Sequence, residues 1–485
     1  MSKDYTIEFF SSRPRNSLIY LILLLFSVGI SAGIYAFGFN FGIFTVMAVI
    51  GIPVLLYSVS NLKFGIVALL IFSFSLGFSK FIGKDFPLGV VLDAFLVSML
   101  LGLLFRKWKK HDYALAKSPI SVVVWVWIIY NCLEFFNPMG SREAWIYVIR
   151  GIAILMTYYF IVVEAVDGID FVKILVNVWI ALALVGAVYG LFQEFHGLTQ
   201  AEKDWVARDE FRFNLIHNWG RYRIFSFFID PTLFGILMSY TGLFCLALIP
   251  GPFKMWYKVF LGLSALIMFL AMVYAGTRTA YAMIPAGVFF FALLTFQKET
   301  LMIGTAVAIF GGIIIFSDIR SLGPFLTTNS LERIRSAFKP SEDPSFKVRE
   351  KSQAFIKPFI QSHPFGSGLG SIGIWGSRFT PNSPLAKFAP DSGYVRVAVE
   401  LGWVGLIVYC SFFATILIVG IRNYYRMRNH LLKSYLAALV AVVFSLVIAN
   451  YPQEALIQAP TILIFYIVMA LIVKLKILDE KITTK

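Results

Sequence analysis

Long apolar runs follow one another along the chain, separated by short polar connectors. A helix needs about 20 mostly apolar residues to cross the hydrocarbon core of a bilayer, so each run is predicted to be a transmembrane helix. The predicted spans are residues 17–36, 39–59, 64–80, 87–105, 119–136, 145–163, 174–194, 224–249, 259–275, 279–296, 301–317, 392–420, 434–450 and 460–475. Because one hairpin could be re-entrant, the pattern predicts an all-α polytopic membrane protein with about 12–14 transmembrane helices and one large structured periplasmic loop.

Clusters of lysine and arginine in the connectors predict the orientation of these helices. One cluster runs from Arg106 to Lys117, a second from Arg422 to Lys433 and a third from Lys474 to Lys485. Short cytoplasmic loops carry an excess of basic residues. Since alternating spans bring all three clusters to one face, we expect both termini to be cytoplasmic.

This orientation divides the chain into seven regions. They are a cytoplasmic N-terminus (1–16), N-terminal transmembrane helices (17–194), a periplasmic loop (195–223), further transmembrane helices (224–317), a large periplasmic loop (318–391), C-terminal transmembrane helices (392–475) and a cytoplasmic tail (476–485).

The large loop, residues 318–391, is basic as well as long. Basic residues are normally kept out of short outer loops, so its ten lysines and arginines indicate an anionic partner on the outer face. The pattern Asn329-x-x-Glu332 predicts the start of one helix. Asp343-Pro344 predicts the start of a second, directed toward Gln361, and Pro358 is expected to kink or end it.

Composition narrows the function classes. The chain has 485 residues, of which 59% are hydrophobic and 14% charged, whereas a soluble chain is about a quarter charged. The net charge of +15 resides mostly in connectors between apolar runs, which favours membrane topology and lipid headgroups over nucleic acid as its explanation. The three cysteines form no C-x-x-C pair, and no carboxylate cluster or His/Cys ligand spacing occurs, so neither a disulfide framework nor a metal site is expected.

Two arginine-bearing segments lie where spans meet the predicted outer face. Arg278 follows Gly276 and Thr277 in a very short connector, and Arg221 and Arg223 precede the eighth span. A charge at a membrane boundary is costly unless it is paired or hydrated. Either these arginines bind an anionic ligand, or they are anchors that reach lipid headgroups.

Three further polar residues have two interpretations each. Asp230 either pairs with an arginine or, with Pro231, starts the regular helix. Asp391 is either a general base at the outer mouth of a span or the N-cap of that span. His363, ahead of a glycine-rich run, is either a site residue or an ordinary loop histidine.

The glycine-rich run and the helix after it carry a second pattern. Gly368-x-Gly370-x-x-Gly373 formally matches a dinucleotide fingerprint, but no strand precedes it, so we expect the glycines to allow tight turns or close approach to a ligand. Beyond the run, Glu400 needs a partner, and Arg396 four residues earlier lies on the same helix face.

Taken together, these segments resemble the O-antigen ligase/polymerase family over roughly residues 205–410. The resemblance lies in Arg223…Asp230-Pro231, Gly276-Thr277-Arg278, the loop with Arg349, His363-Pro364 and the glycine run, and Asp391-Ser392-Gly393-Tyr394 followed by Glu400-x-Gly402-x-x-Gly405. Such proteins are inner-membrane glycosyltransferases of the periplasmic face that need no metal or other cofactor. They transfer a glycan from undecaprenyl pyrophosphate to lipid A–core or to a growing polysaccharide.

The resemblance also implies roles for individual residues. Arg223, Arg278 and Arg349 correspond to arginines that hold the pyrophosphate, and Arg221 is a fourth candidate. The family's ligases are thought to use a histidine near the end of the large loop as base. That position is Asp391 here, with His363 as the other candidate.

Two other function classes fit the same residues. A flippase for the lipid-linked glycan would line a central cavity with basic residues and need no base. Transporters of this kind often have repeated halves, and the sequence shows none. A multi-span scaffold whose outer loop binds a protein is the third interpretation. No soluble nucleic-acid-binding module is present, so the expected partners are the lipid-linked glycan, its acceptor and membrane lipids.

Overall fold

The computed structural model describes residues 15–78, 88–111, 117–218, 220–296 and 344–483, with a few isolated positions between 302 and 335. The first part of the chain forms helices α1 (Arg15–Phe37), α2 (Phe39–Ser60), α3 (Leu62–Ser75), α4 (Leu88–Lys110), α5 (Pro119–Leu133), α6 (Arg142–Ile149), α7 (Leu155–Ala165), α8 (Ile169–His196), α9 (Gln200–Ala207) and α10 (Glu210–Ile216). A π-helical turn, Arg150–Ile154, joins α6 to α7, so that the two cross as one element.

A short hairpin and nine further helices follow. They are β1 (His217–Asn218), β2 (Arg221–Tyr222), α11 (Pro231–Leu248), α12 (Met255–Ala275), α13 (Arg278–Thr295), α14 (Pro344–Ser362), α15 (Gly373–Phe379), α16 (Gly393–Glu400), α17 (Gly402–Arg426), α18 (His430–Ala449) and α19 (Thr461–Thr483). The two strands pair antiparallel, with His217 opposite Tyr222. This ladder is the only sheet within the described residues, and the sequence did not predict it.

Ten helices of the described chain are long and apolar enough to cross a membrane. The predicted all-α polytopic fold is therefore confirmed. Three shorter apolar helical stretches, Leu23–Ala36, Ala48–Ser60 and Leu62–Phe78, coincide with the first three predicted spans. The predicted span 301–317 and the helix expected after Asn329 lie almost entirely outside the described residues.

Several predicted spans have different boundaries in the structure, and two of these differences lie next to candidate site residues. The eighth begins at Pro231 rather than at residue 224, because Asp230 caps it by accepting a hydrogen bond from the backbone N–H of Thr232 (2.7 Å). The predicted span 392–420 is two helices, α16 and α17. They separate at Leu401, and Gly402 has φ 69°, a left-handed conformation that favours glycine.

Helix α14, in the large loop, starts at Pro344 as the sequence predicts. It continues through Pro358 to Ser362, so of the two expected effects of Pro358 the end of the helix is wrong, while the kink stays a prediction. The proline removes one backbone donor but falls in the last turn, where few residues remain to be disrupted.

Helices α11 and α19 form the centre of the bundle. Of the ten candidate spans they are the most enclosed, with 89% and 83% of their apolar windows buried. Helix α11 packs against α12, α13 and α18, while α19 packs against α7 and α18. The segment between α8 and α11 has a small apolar cluster of its own, which includes Trp205 and Phe225.

Candidate functional site

The turn between α12 and α13 is held by the guanidinium group of Arg223. Nε donates to the carbonyl oxygen of Ala275 (2.8 Å), and Nη2 donates to the hydroxyl of Thr277 (3.0 Å). Nη1 donates to the carbonyl oxygen of Leu215 (3.3 Å). The Thr277 hydroxyl donates in turn to the carbonyl oxygen of Pro231 (3.1 Å). Arg223 therefore joins three separate segments at one end of the bundle.

Arg278 directly follows this turn as the first residue of α13. Gly276 ends α12 with φ 64°, which lets the chain reverse before Arg278. Arg278 is half-buried. Because Thr277 bonds to Pro231, helices α11 and α13 begin side by side. The partial positive charge of two helix N-termini is thus added to that of the arginine at this end of the bundle.

Arg221, the other arginine ahead of α11, has a carboxylate partner. Its Nη2 lies 2.7 Å from Oε1 of Glu194, near the C-terminus of α8, and the Glu194 side chain is only 11% exposed. This ion pair attaches the β-hairpin to α8. The two neighbouring arginines thus have different environments, since Arg223 bonds to carbonyl and hydroxyl oxygens.

Asp391 and Arg349, both candidates from the sequence, lie next to each other. Nε of Arg349 is 3.5 Å from Oδ2 of Asp391. The arginine side chain is 25% exposed and the aspartate 56%, so the carboxylate stays open to an incoming group. The contact joins α14 of the large loop to the entrance of α16.

Asp391 is not the N-cap of the helix that follows it. Ser392 has this role, because its hydroxyl accepts the backbone N–H of Val395 (3.4 Å). The interpretation of Asp391 as a cap is therefore wrong. Its carboxylate is not needed to start α16.

An arginine between two glutamates lies just beyond. Nη1 of Arg396 is 3.3 Å from Oε1 of Glu400, as the spacing predicts, and Nε donates to Glu454. Glu454 lies in the connector between α18 and α19. Burial raises the pKa of Glu454, the Arg396 charge works against this shift, and the negative charge of Asp391 adds to it.

A cleft of about 180 Å³ is lined by two of these carboxylates, Asp391 and Glu454. Its lining includes Asp230, the cap of α11, together with Asp391, Gln453, Glu454 and Gln458. Three carboxylates and two amides from separate parts of the chain thus surround one small polar cavity. The cleft opens at the end of the bundle where α11 and α19 begin.

His363 does not line the described part of this cleft. Its Nδ1 lies 2.9 Å from both the carbonyl oxygen of Phe359 and the hydroxyl of Ser362. The imidazole ring also stacks on the ring of Phe359, with centroids 4.1 Å apart. His363 is thus held against the end of α14.

The glycine-rich run after His363 packs against the chain's own backbone. Gly366, Gly368, Gly370 and Gly373 all have positive φ, between 67° and 89°. A Cβ on Gly366 would lie 2.4 Å from the backbone nitrogen of Gly402, at the break between α16 and α17. The glycines therefore serve tight turns and close packing around that break.

Residues 263–410 match the family model described as O-antigen ligase. The match confirms the resemblance to the O-antigen ligase/polymerase family, and it covers the turn before Arg278, Arg349 and Asp391. The matched region is similar to this family, and the ten apolar helices of the described chain indicate a multi-pass membrane protein. No curated protein matches the chain.

Glu454 and its neighbour Gln453 are site residues that sequence reasoning missed. They lie far from the loop motifs and outside the matched region. The sequence does contain a signal for them, because they are two adjacent polar residues in a short connector. Alternation of the spans assigns this connector to the same face as the large loop. Within the described chain, no group of three or more His, Cys, Asp or Glu is arranged to hold a metal ion.

Proposed function

We propose that the protein is an inner-membrane glycosyltransferase acting at the periplasmic face. It transfers a glycan from undecaprenyl pyrophosphate to lipid A–core or to a growing polysaccharide. The observation that supports this most directly is the pair formed by Arg349 and Asp391, of which Asp391 lines the polar cleft, within the region that matches the O-antigen ligase family.

The chemistry proposed for this cleft is an inverting displacement that needs no metal. The acceptor hydroxyl attacks the anomeric carbon of the donor and forms the new glycosidic bond, while the bond to the pyrophosphate oxygen breaks. Asp391 takes the proton of the hydroxyl. Arg278 and Arg349 bind the pyrophosphate, whose negative charge grows as it leaves, and guanidinium groups suit phosphate oxygens because they offer two parallel donors.

The remaining candidates take supporting roles. Arg223 donates hydrogen bonds to Ala275, Thr277 and Leu215, so we propose that it acts chiefly by holding the turn that carries Arg278. Arg221 holds the hairpin through Glu194. His363 is retained as the second candidate base, to be considered if Asp391 proves dispensable.

The test is a product assay with purified, reconstituted protein and a lipid-linked glycan, with lipid A–core or a second lipid-linked glycan as acceptor. Asp391→Asn should lower transfer by about 100-fold or more. Its thermal stability should be unchanged, because Ser392 caps the helix. The matched control is Asp170→Asn, which makes the same charge change at an exposed residue at the start of α8.

Three further comparisons separate the alternatives. Arg278→Ala should lose transfer, and Arg278→Lys should restore it only in part, since a point charge replaces a two-pronged donor. Transfer should persist in excess EDTA. Movement of the lipid-linked glycan across the bilayer without any product would instead identify a flippase, and full transfer by Asp391→Asn would move the base assignment to His363.

A further inference from the structure

A second polar cavity, of about 360 Å³, lies at the opposite end of the bundle from the cleft. Its lining includes Pro250 from the α11–α12 connector, Lys258 of α12, Tyr424 of α17, and His430 and Lys433 of α18. Helix α11, which has 18 residues and is about 27 Å long at 1.5 Å per residue, runs from one cavity to the other. By the predicted topology, this second cavity opens to the cytoplasm.

The charges around this cavity have one sign. Lys258, His430 and Lys433 line it, and no acidic residue does so within the described chain. Nζ of Lys433 lies 4.5 Å from the ring centroid of Tyr424, which fixes the ammonium group over the aromatic face. The hydroxyls of Thr295 and Ser434 donate to carbonyl oxygens of their own helices. The side-chain donors left for a ligand are therefore the two ammonium groups, the imidazole and the Tyr424 hydroxyl.

A neighbouring cavity on the same side shows the contrasting arrangement. It has a volume of about 420 Å³ and also contains basic residues. There, Nζ of Lys63 lies 2.7 Å from Asp167, and Nζ of Lys107 lies 3.2 Å from Glu164. Arg106, the third basic residue of that lining, donates to the carbonyl oxygen of Ser60, so both lysines there have a carboxylate partner within the protein.

The position of Lys258 and Lys433 argues against a purely topological role. Basic residues that orient a membrane protein need only lie in the connector, in contact with water. Lys258 and Lys433 lie instead about one turn inside their helices and are half-buried. Cations at that depth are costly unless a counter-charge is present. An anion inside the cavity would supply it.

We propose that this cavity binds a phosphate group at the cytoplasmic face, as the headgroup of an anionic phospholipid or as a soluble phosphate. Lysine ammonium groups bind phosphate as point charges, and basic pockets between transmembrane helices on this side are suited to lipid headgroups. A volume of about 360 Å³ far exceeds the roughly 30 Å³ that one water occupies, so a phosphate and its ester oxygens fit. The proposal is independent of the reaction at the outer face.

The experiment measures binding of short-chain phosphatidylglycerol to the full-length protein in neutral detergent by calorimetry. Lys258→Gln with Lys433→Gln should weaken binding by about 30-fold, at roughly a tenfold-or-less loss per basic residue. The control is Lys254→Gln with Arg422→Gln, which removes two exposed positive charges from the same side without touching the cavity. The control should bind as the wild type does.

Further arms identify the source of the phosphate and guard against misfolding. Lys433→Arg keeps the charge and should retain binding even if the double variant unfolds. Inorganic phosphate that competes with the lipid would indicate a soluble ligand, and failure to compete would indicate the lipid. Equal phosphatidylglycerol affinity in the double variant and the control, or equally tight binding of zwitterionic phosphatidylcholine, would overturn the proposal.

Discussion

At the scale of single residues, Arg396 is the cation that binds Glu454, one of the carboxylates that line the polar cleft. It contacts Glu400 on its own helix and Glu454 from the connector before α19. Asp391 and Arg349 form a second, more exposed pair nearby. Arg349 and Arg396 thus each have a carboxylate partner, yet the three acids that they contact outnumber the two arginines. Such a surplus is a reason for one carboxyl group to keep its proton.

For Glu454, this tendency of a carboxyl group to keep its proton has a measurable consequence. Its pKa is raised by burial, so the folded protein holds the proton more tightly than the unfolded chain does. The resulting contribution to stability is complete below the ordinary glutamate pKa and is lost as the pH rises through the higher folded value. Wild-type protein should therefore lose stability over this window relative to Glu454→Gln. Melting temperatures in detergent from pH 4.5 to 8 test this, and parallel curves would contradict it.

Sequence reasoning reached only part of this network. The pair of Arg396 with Glu400 follows from their spacing of four on one helix. The contact of Arg396 with Glu454 joins residues 58 positions apart, and no local pattern encodes it. The cap was missed for a similar reason, because Asp391 and Ser392 are both good caps and only the helix start decides between them.

At the scale of elements, the break between α16 and α17 lies one short helix beyond Asp391. A continuous helix was predicted there because the apolar pattern runs on from residue 392. The structure instead separates the two helices at Gly402, whose backbone lies against Pro364 and Gly366. Apolar periodicity reports burial of a face, whereas this break depends on a tertiary contact with the glycine-rich run.

Gly402→Ala should disrupt this junction. A Cβ there would lie 2.1 Å from the carbonyl oxygen of Pro364, and the positive φ adds strain. We expect a loss of about 2 kcal/mol or more in unfolding free energy, with a parallel loss of transfer. Gly262→Ala is the matched control, since its nearest neighbour is 3.9 Å away and it lies inside helix α12. It should be neutral or up to ~1 kcal/mol more stable. Wild-type behaviour of both variants in thermal unfolding would contradict this account.

At the scale of the whole molecule, two polar cavities lie at opposite ends of one apolar bundle. Spans were the most predictable feature, because a bilayer imposes length and composition on each of them. The sites were less predictable, since the polar cleft is lined by Asp230, Asp391 and Glu454, which come from three distant segments. Only the folded arrangement of α11, α16 and α19 brings these residues together.

The two ends should be accessible from opposite sides of the membrane, and this can be tested in intact cells. Gln458 lies at the outer cleft and Lys254 in the connector near the second cavity, and both are exposed. Single cysteines at these positions would be introduced after replacing Cys132, Cys245 and Cys410, none of which is in a disulfide.

A membrane-impermeant maleimide that reaches the periplasm should label Gln458→Cys directly, but Lys254→Cys only after the inner membrane is permeabilised. We expect this pattern because α11, α18 and α19 each run from one end of the bundle to the other. The three basic clusters predict which end faces the cytoplasm. The cysteine-free parent controls for background. The reverse pattern would invert the topology, and it would separate the cleft from any periplasmic reaction.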